Sequence, residues 1–427
     1  MYRTREHAIF RPNDSLVYYD LLKLQFAEMS DDYIEVLRDF GQPMPSISKE
    51  DLSYTDEKME ILADLIEFGA IEELKTESEI DCFRPFVPYV TAFRIVMTEQ
   101  CNLQCRECFV TKSKGCLPTM NMDTLDSVVD RIIKFSHTES PQIHFFGGEP
   151  LLRYEYILYA TDRLKLEAKK EPQYSITTNA TLVDDDIARF LAENHFSVAV
   201  SIDGNESLHN LLRPDKTKGG SYKAAKDGYD KLVNAGAWPS IIITPHPDYI
   251  NELADGFETM IKDFAPKMVT INEPFQYNTL RWSIDGKLYA EFLIDTLIKC
   301  RKHGVKLSSA LTPILAALSQ GKRRESPCSM ACRNIMASIR TDGKISFCSQ
   351  KWPDQMVKDV ETYDEPLDVP YHPAPQCKRC IARTICGGPC PAFQLLSHEN
   401  VDVNKCVFMQ SILEKITEHL DLFEEPE

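Results

Sequence analysis

From residue 93 onward, short apolar runs alternate with amphipathic stretches of helical period, and that alternation predicts the architecture. Strands are expected at 93–98, 142–146, 174–177, 196–200, 241–243 and 268–271, where β-branched and aromatic residues gather. Helices are expected around 122–136, 154–169, 184–194, 221–235, 248–263 and 285–303. Strand followed by helix, repeated, makes a parallel sheet with helices packed outside it. Six such units are too few to close a full eight-stranded barrel. The expected fold is therefore α/β: a partial (β/α)6 TIM-like barrel over 90–305, open on one side, with its chemistry where strands end and loops begin.

The first 85 residues read differently and predict a small α+β domain over 1–85. Ala8-Ile9-Phe10-Arg11 and Ser15-Leu16-Val17-Tyr18-Tyr19, separated by Pro12-Asn13-Asp14, form a hairpin pattern. Ser30-Asp31-Asp32 then caps a helix with Tyr33, Val36, Leu37 and Phe40 on one face. Thr55-Asp56-Glu57 caps another that runs through Ile61, Leu62, Leu65 and Ile66. Gly41-Gln42-Pro43-Met44-Pro45 breaks the chain between them.

Composition narrows the class. The 427 residues are 43% hydrophobic and 26% charged, the balance of a globular protein with several cores. The N-terminus leads into no apolar signal region, and no long uncharged apolar run appears, so neither export nor a membrane span is indicated and a cytoplasmic location is expected. A formal charge of −17 argues against a nucleic-acid partner. Residues 1–90 hold 9 Lys+Arg against 20 Asp+Glu, so most of the acid excess lies at this end. It is a solvated acidic surface or a face for a basic peptide.

Fourteen cysteines in a reducing compartment point to metal rather than to disulfides. Cys82, Cys116 and Cys300 stand outside any cluster and read as ordinary small residues. Cys101, Cys105 and Cys108 follow the first barrel strand with C-x3-C-x2-C spacing. Three thiols in one loop can face one metal centre, and thiolate is the ligand of iron-sulfur clusters. The fourth position is left open. A zinc site short of a ligand, or three buried thiols, has the same spacing. Polar turns follow the next strands: Gly147-Gly148-Glu149-Pro150, then Thr178-Asn179-Ala180-Thr181, then Ser201-Ile202-Asp203-Gly204. Glycines there let a backbone approach a ligand closely. Beyond residue 305 the chain becomes cysteine-dense. Cys328 and Cys332 are followed by Gly343 and Cys348, then by Cys377-x2-Cys380-x5-Cys386-x3-Cys390 and Cys406. A pair of zinc ribbons is the alternative to iron-sulfur here.

Taken together, the triplet and the strand-end turns resemble the radical S-adenosylmethionine (radical SAM) superfamily, and the C-terminal spacing over 306–427 resembles its SPASM domain. The resemblance implies a SAM-binding [4Fe-4S] cluster on Cys101, Cys105 and Cys108, and cofactor contacts from Gly147, Gly148, Glu149, Pro150, Asn179, Ser201, Asp203 and Arg213. Glu149 is expected to accept from the cofactor's ammonium and Arg213 to pair with its carboxylate. One position departs from the family: Glu107 stands before the third cysteine where an aromatic residue is usual, and Phe109 follows it. The resemblance also implies two auxiliary [4Fe-4S] clusters, one on Cys328, Cys332, Cys348 and Cys390, the other on Cys377, Cys380, Cys386 and Cys406. Eight thiolates saturate two clusters, which are then electron carriers. The implied activity is cleavage of S-adenosylmethionine to a 5′-deoxyadenosyl radical and oxidative modification of a ribosomally made precursor peptide, by thioether or carbon-carbon cross-linking. The N-terminal domain resembles winged-helix-like modules that bind a leader peptide as an added strand. Flavodoxin or ferredoxin is the implied electron donor. Formylglycine formation by an anaerobic sulfatase-maturating enzyme is the alternative activity. In those enzymes an Asp follows the cysteine of the G-x4-C element, where this chain has Ser349.

Overall fold

The computed structural model describes residues 2–12, 15–41, 54–73, 90–108, 110, 117–136, 138–168, 171–276, 279–324, 327, 335–346, 348, 357–358 and 374–420. Cys82, Phe109, Cys116, Cys328, Cys332 and Ser349 lie outside these, as do Asn13, Asp14 and 42–45 of the expected N-terminal turns.

The N-terminal domain contains the expected hairpin, β2 (His7–Phe10) against β3 (Leu16–Asp20), and a third strand that the residue pattern did not reveal, β4 (Gln25–Met29), antiparallel to β3. The turn between β3 and β4 has no Gly, Pro or Asn. Instead the Asp20 carboxylate accepts from the N–H groups of Leu22 (2.8 Å) and Lys23 (2.9 Å), while Leu24 takes a φ of 58°. A separate ladder joins β1 (Tyr2–Thr4) to β5 (Ile71–Glu73). Helices α1 (Asp31–Asp39) and α2 (Asp56–Phe68) carry Ile34, Leu37, Leu62 and Leu65 into a core of their own with Tyr18. Thr55 caps α2 as expected, accepting from Lys58 N. The opposite side of the sheet joins the main core, where Tyr19, Leu21 and Leu24 are buried, and Glu6 forms an ion pair with Arg383.

All six expected barrel strands are present: β6 (Val90–Thr98), β7 (Gln142–Gly147), β8 (Gln173–Thr178), β9 (Ser197–Ser201), β10 (Ser240–Ile243) and β11 (Met268–Ile271). They pair in chain order and in parallel. The intervening helices are α3 (Met122–Phe135), α4 (Tyr154–Glu167), α5 (Asp185–Glu193), α6 (Glu206–Leu212), α7 (Tyr222–Asn234) and α8 (Ile250–Phe264). Strand alternation sorts the two faces: Ile143, Phe145, Ile176, Val198 and Val200 are buried in the core, while His144, Phe146, Ser175 and Thr177 are half-buried on the other face.

The sheet extends past the six strands. After α9 (Gly286–Lys302), β12 (Lys306–Ser308) adds in parallel to β11, and α10 (Thr312–Gln320) follows. At the other edge β13 (Ile335–Ile339) runs parallel to β6, with β14 (Ile345–Ser346) and β15 (Val357–Lys358) antiparallel beyond it. The ladder runs from β12 to β15 without closing, so the barrel is open. The remaining cysteine-bearing chain folds as α11 (Arg383–Cys386), α12 (Pro391–Ser397) and α13 (Val403–Glu418). No helix among the described residues is long and apolar enough to cross a membrane.

Helix α13 is fastened to the barrel at one tight crossing. The Asp402 carboxylate accepts from Trp282 N at 2.6 Å, and Asn404 Nδ2 donates to Trp282 O at 2.8 Å. The Trp282 ring packs on Phe408, ring centroids 5.0 Å apart. At Gly286 a Cβ would stand 2.1 Å from Asn404 O and 2.3 Å from Phe408 N, so only glycine allows α9 and α13 to meet this closely. Because α13 carries Cys406, this crossing places a cysteine of the C-terminal group. Gly286→Ala is expected to destabilise the protein by about 1–3 kcal/mol through overpacking, read as a lower thermal unfolding midpoint. An unchanged midpoint would mean that the helices separate without cost.

Candidate cluster and cofactor site

The cysteine loop begins where β6 ends, and its start is held by the end of β7 on one side and by the 118–119 segment on the other. Gly148 N donates to Thr98 O at 2.8 Å and Glu149 N to Gln100 O at 2.9 Å. A Cβ on Gly147 would lie 2.3 Å from Thr98 O, and one on Gly148 would lie 2.3 Å from Gln100 O. The two glycines therefore serve the chain's own crossing, where the sequence alone suggested room for a ligand. On the other side Glu99 N donates to Pro118 O, and the hydroxyls of Thr98 and Thr119 are 2.6 Å apart.

Glu149 is wholly buried, and its carboxylate is a strut between strand ends. Oε1 accepts from Leu151 N (3.1 Å) and from the Thr178 hydroxyl (2.8 Å), and Oε2 accepts from Asn179 N (2.8 Å). Pro150, which has no N–H to lose, starts a short 3₁₀ turn behind it. Burial pushes the Glu149 pKa up to about 7 against the three hydrogen bonds, which favour the anion. Asn179, so placed, donates from Nδ2 to Asn102 Oδ1 at 2.9 Å and approaches Cys101 Sγ at 3.8 Å, while Asn102 Nδ2 donates to Thr181 Oγ1 at 2.7 Å. Asn102 and Thr178 were not singled out from the sequence, although both flank residues that were.

At the end of β9, Ser201 is half-exposed, and Asp203 is buried. Arg213, expected to pair with the cofactor's carboxylate, has a side chain only 15% exposed, with Nε donating to Asp203 Oδ2 at 2.6 Å. This partner comes from the chain itself and occupies one edge of the guanidinium. His209 is the residue that the sequence reading missed. Its Nδ1 accepts from Asp203 N (3.3 Å) and its Nε2 meets the Ser221 hydroxyl (3.0 Å), which donates to Arg213 O (2.5 Å). Burial lowers its pKa to about 4, keeping the ring neutral and able to accept at one nitrogen and donate at the other. The available signal was its place one helical turn before Arg213. Glu107, the departure from the family pattern, is half-exposed with its carboxylate 3.9 Å from His246 Nε2.

The three loop thiols lie close enough for their charges to interact, and burial pushes the Cys101 thiol up to about 12. Among the described residues no three Cys, His, Asp or Glu side chains stand at direct metal-ligand positions. The donor set nevertheless fits an iron-sulfur cluster. Leu103 N donates to Cys101 Sγ at 3.4 Å and Asn179 Nδ2 points to the same sulfur, the N–H···S environment that thiolate ligands accept. In the C-terminal region Cys377, Cys386, Cys390 and Cys406 line one cavity beside Trp282 and Phe393. The charges of Cys377, Cys380 and Cys386 act on Cys406, and Gln410 Nε2 lies 3.9 Å from Cys380 Sγ. Cys390, which the resemblance pairs with Cys348, thus shares a cavity with the other group. Cys348 lies near the buried Arg94 of β6, and Cys300 is buried by itself within α9.

Replacing Glu149 tests the strut. Glu149→Ala leaves the Thr178 hydroxyl and the Asn179 N–H buried without an acceptor, at about 1–3 kcal/mol for each group, measured by denaturant unfolding of iron-free protein. The folded pKa of about 7 lies above the ordinary 4.5, so folding takes up a proton. The contribution of Glu149 is therefore largest below about 4.5 and declines as pH rises to about 7. Wild type should gain stability over Glu149→Gln as pH is lowered through that window, and a pH-independent difference would contradict the shifted pKa.

Comparison with known proteins follows the same lines. The Radical SAM superfamily model matches residues 95–260. The serine-type anaerobic sulfatase-maturating enzyme of Klebsiella aerogenes is 24% identical over 327 residues, which covers 68% of this chain and 77% of that one. Native anSMEcpe with bound AdoMet and Cp18Cys peptide has a TM-score of 0.64 at 21% identity, over 78% of this chain and 97% of that chain. Streptococcus suis SuiB bound to S-adenosylmethionine has a TM-score of 0.53 at 15% identity, over 94% of this chain and 98% of its own. At these identities the two solved structures establish a common fold. Residues 95–260 carry a radical SAM domain, and the chain is an enzyme.

Proposed function

We propose that this enzyme oxidatively modifies a peptide, with S-adenosylmethionine as the source of the radical. The observation that carries this is the cysteine loop of an open barrel held from two sides, by the Glu149–Asn179 hydrogen bonds that reach Cys101 and by backbone bonds to the 212–214 segment, whose Arg213 pairs with Asp203. Cys101, Cys105 and Cys108 would hold the [4Fe-4S] cluster. The backbone at Gly147-Gly148-Glu149-Pro150, the Ser201 hydroxyl and the Nη1 edge of Arg213 would meet the cofactor's polar groups. When bound, cluster and cofactor supply a 5′-deoxyadenosyl radical able to take hydrogen from an unactivated carbon. The barrel's part is to hold the peptide's reacting carbon in line and to keep water out. The C-terminal region is a SPASM domain in this reading. Its eight cysteines, Cys328, Cys332, Cys348, Cys377, Cys380, Cys386, Cys390 and Cys406, hold two clusters that accept the electron left on the substrate.

The substrate in this reading is a ribosomally made precursor whose leader adds as a strand to the N-terminal sheet, where β2 and β4 are both edges. The match to SuiB takes in nearly the whole chain, whereas the match to anSMEcpe leaves about a fifth of it unpaired, which supports a role for a domain beyond the barrel and cysteine-rich region. A second reading, formylglycine formation in a sulfatase, is favoured by the similarity to sulfatase-maturating enzymes along 68% of the chain. Ser349 after Cys348 weighs against it.

Two experiments test the proposal. Replacing Cys101, Cys105 and Cys108 with Ala should abolish 5′-deoxyadenosine formation and lower iron from about twelve to about eight per chain; cofactor cleavage at the wild-type rate would refute the assignment. Incubation with a precursor peptide encoded beside the enzyme should give a cross-linked product lighter by a hydrogen pair, and removing the leader should weaken peptide binding by about tenfold or more. A sulfatase-derived peptide converted to an aldehyde, with the precursor untouched, would select the second reading.

A further inference from the structure

The segment after α6 runs antiparallel to the cysteine loop. Leu103 bridges to Asp215, Gln104 N donates to Pro214 O at 2.8 Å, and Arg106 N donates to Leu212 O at 2.9 Å. This register sets Arg213 directly opposite Cys105, and opposed residues of an antiparallel pair hold their Cβ atoms about 4.5–5.5 Å apart on one face. Backbone geometry therefore delivers a guanidinium to the second thiol of the triplet. The charge of Arg213 acts on both Cys105 and Cys108.

The guanidinium is fixed in place. Asp203 receives Nε at 2.6 Å and Nη2 at 3.3 Å, and its Oδ1 also accepts from Thr244 N at 3.2 Å. The backbone is held as firmly: Ser221 donates to Arg213 O, His209 holds Ser221, and the Asp215 carboxylate accepts from Thr217 N and Gly219 N to close the next turn. The side chains of Asp203 and Arg213 are 4% and 15% exposed, so water screens them little.

We propose that the Asp203–Arg213 pair sets the reduction potential of the cluster held by Cys101, Cys105 and Cys108, Arg213 raising it and Asp203 lowering it. The inference rests on the reading that this triplet holds a cluster. Reduction adds a negative charge beside thiolates, and a fixed cation opposite Cys105 favours that state while the carboxylate behind it opposes it. Both act as positioning residues through their charge, whatever contact Arg213 also makes with the cofactor.

The test is an EPR-monitored redox titration of the holoenzyme without S-adenosylmethionine, with iron counted for every variant. Arg213→Gln should move the potential of the triplet cluster to more negative values and Asp203→Asn to more positive values. The double variant should fall between them, and Arg213→Lys should stay near wild type. In Asp203→Asn the side-chain amide oxygen would still accept from Thr244 N, which keeps that variant folded. Unmoved potentials, or shifts of one sign with parallel loss of iron, would overturn the proposal, since a purely structural ion pair gives that pattern. The signal is identified by subtracting the spectrum of the Cys101, Cys105 and Cys108 to Ala variant. If that variant keeps all its iron and every reducible signal, the cluster assignment has failed; an assigned signal whose potential does not respond refutes the tuning alone.

Discussion

The buried carboxylate of Glu149 is the interaction on which the candidate site depends. A side chain at the end of one strand accepts from the backbone and hydroxyl at the end of the next, and its own N–H holds the first turn of the cysteine loop. Three loops that would otherwise move separately become one body. An amide of the same shape would turn its NH2 group toward donors that both carboxyl oxygens now accept from. The burial that raises its pKa is the cost of putting an acceptor where several donors converge.

The same logic extends outward from that strut. Asn179, aligned by Glu149, carries the contact to Asn102 and Cys101, while the 212–215 segment supplies the loop with a second strand on its other side. Farther out, Gly286 and Trp282 lock α13 to the barrel, and Tyr19, Leu21 and Leu24 lock the N-terminal sheet to the same core. Each junction is a close backbone approach or a satisfied buried polar group. The cysteine-rich region and the N-terminal sheet are thus both packed onto the barrel.

Much of this architecture was legible in the residues. Six strands and their helices were readable because apolar runs and helical periodicity alternate cleanly, and Asn121, Asp184 and Asp285 cap helices at the expected boundaries. β4 was not legible, since Gln25-Phe26-Ala27-Glu28-Met29 lacks β-branched residues and its turn is made by an Asp20 side chain and a left-handed Leu24. β12 and β13 escaped notice for another reason: three- and five-residue strands become strands only by pairing with β11 and β6, far away in sequence. His209 reads locally as one polar residue on a helix, and its role exists only because Asp203 and Ser221 converge on it.

The sequence by itself determined which residues are candidates for chemistry. Thiol spacing and strand-end turns are local patterns, and local patterns survive in one dimension. Tertiary structure alone decided what those residues do for one another. It turned two glycines expected to admit a ligand into the crossing point of two backbones, made Glu149 a strut, gave Arg213 a buried partner in Asp203, and set it opposite Cys105. Those outcomes depend on which distant donors and acceptors burial forces together, and burial is a property of the folded chain.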